Sequence, residues 1–114
     1  MFLADKLCYN FFMQKEEILQ ILSDIKQEYS KNKLEEIGLF GSFAKENATP
    51  YSDVDIAIKK SDDFLKYYSS YEYFSFIETL KTKLQKAFRR KVDIFDLDSQ
   101  SEIKHYIEKE VIFV

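Results

Sequence analysis

Both glycines of the chain and its only proline fall inside one stretch, residues 38–58, which reads GLFGSFAKENATPYSDVDIAI. Glycine supplies positive φ and close backbone approach, and proline fixes a turn, so the sharp reversals of this chain concentrate here. The same stretch ends in an apolar run entered by Asp53 and Asp55, one valine apart. Two like charges at the mouth of a buried strand repel each other and resist desolvation, and a fold tolerates them where a cation sits between them. A Gly-Ser turn just upstream of such a pair therefore asks for a joint explanation.

At 114 residues the chain is expected to form one domain that buries roughly two-thirds of the surface its unfolded form exposes. With 46% apolar and 32% charged residues it has the composition of a globular protein, not of a disordered one. The net charge of −3 argues against stable nucleic-acid binding through bulk electrostatics. The basic run KTKLQKAFRRK, residues 81–91, reads as the solvated face of a helix. Cys8 is the only cysteine, which excludes an internal disulfide and a cysteine zinc site and fits a reducing, cytoplasmic setting. No apolar run reaches the ~18 residues of a membrane span. Residues 1–12 are too short and too charged for a secretory signal and are expected to form a peripheral segment, with the domain proper at 13–114.

Residues 15–29 place Ile18, Leu19, Ile21, Leu22, Ile25 and Tyr29 on one face at helical spacing. LEEIGLF (34–40) reads as a strand, and SFAKEN after Gly41 as a single helical turn. In residues 53–59 Val54, Ile56 and Ile58 alternate with Asp53, Asp55, Ala57 and Lys59, the period of a strand. A long helical region follows, striped by Tyr73, Ile77, Leu80, Leu84 and Phe88. KVDIFDL (91–97) is a third strand, with Asp93 opposite Val92 and Ile94. The tail reads as a helix capped by Ser99 or Ser101, then VIFV as a closing strand or apolar anchor. This order predicts an α+β (α/β) domain, a small mixed sheet flanked by helices.

Asp53 and Asp55 leave one face of their strand about 6–7 Å apart. If the second and third strands run parallel, Asp93 starts its strand at the same end and reaches the same cations. Oxygen ligands of this kind suit Mg²⁺ or Mn²⁺ shared with substrate phosphates. Gly41 lets a ligand approach the backbone, and the amides after Ser42 favour an anion. For the two halves to meet, the first strand must run antiparallel to the second. A phosphate cradle facing a carboxylate cluster is the equipment of phosphoryl or nucleotidyl transfer.

Gly-Ser, ten residues, then Asp-x-Asp, with a third aspartate on a later strand, resembles the minimal nucleotidyltransferases of the DNA polymerase β-like superfamily. The resemblance runs from about residue 15 to the last strand and implies the polymerase β-like palm fold. It implies that Gly41 and Ser42 hold the triphosphate of ATP. It further implies that Asp53 and Asp55 bind two Mg²⁺ ions (or Mn²⁺) and that Asp93 helps activate the attacking hydroxyl. Lys45 stands where many relatives have arginine; it offers phosphate a point charge without the bidentate fork. Free-standing domains of this size resemble the antitoxin of a pair whose toxin is a HEPN-type ribonuclease, modified by AMP on a tyrosine hydroxyl. Two other readings stand beside this one: an antitoxin that acts by occlusion, and the catalytic subunit of a small-molecule nucleotidyltransferase. His105 is expected to be a surface or packing residue, and Asp96 and Asp98 to serve turns and caps. The aromatic stretch YYSSYEYFSF (67–76) is expected to serve the core, a partner-binding face, or both.

Overall fold

The computed structural model describes residues 13–29, 33–98 and 103–114. Helix α1 (Lys15–Tyr29) leads into strand β1 (Leu34–Phe40), and strand β2 (Val54–Lys60) follows the Gly-Ser turn. A short helix α2 (Phe64–Tyr67) and a long helix α3 (Ser70–Phe88) connect to strand β3 (Val92–Asp96). Helix α4 (Ile103–Glu110) and strand β4 (Ile112–Phe113) close the chain. The sheet order is β3-β2-β1-β4. β1 is antiparallel to both β2 and β4, and β2 is parallel to β3. The sheet is mixed, as the order of elements predicts.

One face of this sheet carries the main core. Ile18, Leu22 and Ile25 of α1 meet Ile37 and Leu39 of β1, Val54, Ile56 and Ile58 of β2, and Leu80, Leu84 and Phe88 of α3. Each such side chain contributes about 1.5–3 kcal/mol on leaving water. Leu34 joins them because the register slips between Leu34 and Glu36, a local irregularity that returns the strand to phase. α1 and the α2–α3 region are locked together by rings: Phe64 lies 4.9 Å from Tyr68 and 5.5 Å from Phe76, which meets Tyr29 edge-on at 5.4 Å.

Among the described residues, the opposite face is only partly covered. Ala57, Leu97 and Ile107 of α4 form a small second cluster, with Phe40, Phe95 and Val111 against it. Gly38 lies beneath this C-terminal segment, where an added Cβ would stand 2.6 Å from Val111 and 2.7 Å from the Ile112 carbonyl. The VIFV tail is therefore a strand that needs a glycine under it.

Beyond one-residue shifts at other strand ends, three boundaries differ from the sequence expectation. Residues 42–46 form turns, with one α-type bond from Lys45 N–H to Gly41 carbonyl (3.1 Å). Glu46 at φ 61 stops that turn from extending. The long helical region divides at Ser69, which is extended (φ −75, ψ 169) and caps α3. β2 starts at Val54, so Asp53 lies just before it. Residues 1–12 and the cap expected at Ser99 or Ser101 lie outside the described residues.

Candidate active site

The parallel register pairs Asp55 with Asp93 and Val54 with Val92. Partners in a parallel ladder share a face, and neighbouring strands lie about 4.7–4.9 Å apart, so the two carboxylates stand side by side. They project from the face opposite α1 and α3. On the other side of Asp55 the antiparallel register brings Phe40, the last residue of β1. The next residue, Gly41, has φ +76, and a Cβ built on it would collide with the Asp55 carboxylate. The two halves of the motif thus touch: the glycine turn lies directly against the central aspartate.

The electrostatics follow from that crowding. Burial pushes the Asp55 carboxyl above its ordinary value, and the charges of Asp93 and then Asp53 push it further. Among the described residues none of these three aspartates has an ion-pair partner or a side-chain donor. Nor do any three His, Cys, Asp or Glu side chains among them close around a metal ion unaided. Three repelling oxygen donors with no cation of the protein's own fit Mg²⁺ or Mn²⁺, ions that keep open positions for substrate phosphates.

Ser42 is half-buried, and its carbonyl accepts from Asn47 N–H at 3.0 Å. Its hydroxyl has no hydrogen-bond partner among the described residues. Lys45 is exposed and reaches Glu110 of α4 at 3.0 Å, an exposed pair worth about 1 kcal/mol or less. Asp96 and Asp98 stay away from this cluster: both accept from Lys60 Nζ (3.1 and 3.3 Å), and Asp96 Oδ1 also accepts from Asp98 N–H. They serve a turn, as expected, and His105 is exposed on α4.

One participant escaped the sequence reading. Arg90, half-buried at the end of the basic run, donates from Nη1 to the carbonyls of Pro50 (2.8 Å), Ser52 (3.3 Å) and Thr49 (3.4 Å). Its signal was position: three residues before Asp93, on the segment that must run back past the Asp53 loop.

A family model described as polymerase beta, nucleotidyltransferase, matches residues 22–114. The chain belongs to the polymerase β nucleotidyltransferase family. A Methanocaldococcus jannaschii protein with the provisional name protein adenylyltransferase MJ1379 is 32% identical over 106 residues, which cover 84% of this chain and 100% of that protein. A crystal structure described as a toxin–antitoxin with AMP-PNP superposes with TM-score 0.58 at 26% identity, covering 81% of this chain and 70% of its counterpart. A structure provisionally described as a minimal nucleotidyltransferase shares the fold at TM-score 0.66 and 18% identity, covering 88% and 95%. This chain is accordingly a nucleotidyltransferase with the polymerase β-like fold, and its Gly-Ser turn and three aspartates lie within the matched region.

Proposed function

We propose that this nucleotidyltransferase transfers AMP from ATP to a hydroxyl, a tyrosine's by the family resemblance, on a HEPN-type ribonuclease toxin, and so acts as its antitoxin in the cytoplasm. The carrying observation is the register of Asp55 beside Asp93 with Gly41 against the Asp55 carboxylate. The adenylyltransferase name of the M. jannaschii relative and the AMP-PNP of the toxin–antitoxin neighbour support it. Residues 13–114 form the catalytic domain in this reading.

Asp53, Asp55 and Asp93 are the residues that would hold two Mg²⁺ ions. When bound, the ions neutralise the triphosphate and make the acceptor hydroxyl a better nucleophile. Gly41 admits the phosphates to the backbone, where the Ser42 hydroxyl and the following amides donate to their oxygens. Lys45 exchanges Glu110 for phosphate. The acceptor oxygen attacks the α-phosphorus in line, pyrophosphate leaves, and Asp93 is placed to take the acceptor's proton. Asp93 is exposed, which supports an acceptor carried by another protein.

Incubation with α-labelled ATP, Mg²⁺ and the product of the adjacent gene tests this. Label is expected on that protein, and the pair Asp53→Asn and Asp55→Asn abolishes it. The exposed side chains of Tyr67, Tyr71 and Phe74 on α2 and α3 favour a second reading, inhibition by occupancy alone. Neutralisation that persists in the double variant establishes that reading and removes the enzymatic one.

A further inference from the structure

We infer that Arg90 is a positioning residue of this site, the side chain that holds the segments bearing Ser42, Asp53 and Asp93 in mutual register. The inference rests on the assignment of the three aspartates above. Each of those segments ends in a loop, and loops drift unless something ties them. The loop before Asp53 shapes itself through Thr49 N–H to Ser52 Oγ (2.8 Å), Ser52 N–H to Thr49 carbonyl (3.0 Å) and Tyr51 N–H to Thr49 Oγ1 (3.3 Å). Those bonds are internal and leave its placement against the sheet open. Among the described residues, the side-chain hydrogen bonds that reach it from another element all come from Arg90.

The same guanidinium lies over the Phe43 ring, Cζ to centroid 5.2 Å. Phe43 is buried and directly follows Ser42, so the phosphate turn is pinned by the group that pins the aspartate loop. Arg90 is itself held on both sides. Arg89 ends α3 in the left-handed region at φ 55, its N–H donating to the Gln85 carbonyl at 2.8 Å. Val54 N–H then takes Lys91 carbonyl (3.0 Å), the first rung of the parallel pairing that leads to Asp55 and Asp93. Three chain segments thus converge on one planar cation. A lysine carries the charge but neither the fork nor the flat face that stacks on a ring.

The test compares Arg90→Lys and Arg90→Ala with the wild type in transfer kinetics and in Mg²⁺-induced thermal shift. Misplacement of reacting groups by about 1 Å costs on the order of 10²-fold in rate. Arg90→Ala is expected to lose about that much in kcat, and Arg90→Lys about tenfold, with KM for ATP little changed. Both need more Mg²⁺ for half-maximal thermal shift, a readout independent of turnover. If Arg90→Ala does not fold, Arg90→Lys decides. Wild-type kcat per folded molecule with an unmoved Mg²⁺ response, in whichever variant folds, overturns the inference. Asp53→Asn separates the two levels: if it keeps full activity the site assignment fails, whereas normal Arg90 variants beside an inactive Asp53→Asn remove only the positioning role.

Discussion

Gly41 and Gly38 are three residues apart, yet they are glycine for different reasons. Gly38 makes room for the Val111–Phe113 segment that pairs beside it, whereas Gly41 has positive φ and lies against the Asp55 carboxylate. Gly41→Ala meets both backbone strain and that carboxylate. It is expected to cost about 1–3 kcal/mol in denaturant unfolding and to displace Asp55, with adenylyl transfer falling beyond what the lost stability explains. Asp55→Asn should act in the opposite sense on stability. Its charge is opposed by burial and by two neighbouring aspartates, so the isosteric amide is expected to raise the melting temperature of the metal-free protein while abolishing transfer. Added Mg²⁺ should then stabilise the wild type but not the variant. A less stable Asp55→Asn protein contradicts the electrostatic account. Of the residues around the site, the glycines and aspartates were legible in the sequence because their costs are intrinsic to residue type. Arg90 was not, because an arginine in a basic run looks alike whether it faces water or three carbonyls.

At the scale of elements, the strands were legible to within a residue because apolar alternation and parallel crossover leave few choices. The division of α2 from α3 was missed, since helical periodicity runs through both. Its signal lay in Ser69 and Glu72, whose side chains each accept from the other's backbone N–H at 3.2 and 3.3 Å. Ser69→Ala is expected to cost about 1 kcal/mol in thermal or denaturant unfolding and to leave transfer per folded molecule unchanged. Further along α3, Tyr73 donates to Asp96 of β3, with Lys60 of β2 5.2 Å over the ring. Burial, then the Asp96 hydrogen bond, raises the Tyr73 hydroxyl above its ordinary value of 10.0. A raised folded value means the unfolded chain releases this proton first. The stabilisation is therefore whole below about pH 10 and is lost as pH climbs above it. Tyr73→Phe is expected to flatten the alkaline arm of a melting-temperature profile over that range; an unchanged slope would show that the bond adds nothing.

The whole molecule divides its labour between two faces. α1, α2 and α3 bury one side of the sheet, while among the described residues the other carries a smaller cluster around Ile107 of α4 together with the half-buried Asp55 and the exposed Asp93. This asymmetry lets a chain of 114 residues maintain a core while keeping its three aspartates out of it. The paired carboxylates follow from one fact, the unstaggered start of two parallel strands, and every proposed catalytic role depends on it. A crystal grown with Mn²⁺ and AMP-PNP measures that directly through the anomalous signal of the metal. The account predicts two Mn²⁺ peaks about 3.5–4 Å apart, both touching Asp53 and Asp55, one touching Asp93, with the triphosphate against Gly41 and Ser42. Nucleotide bound elsewhere, or metal that leaves Asp93 untouched, would contradict it.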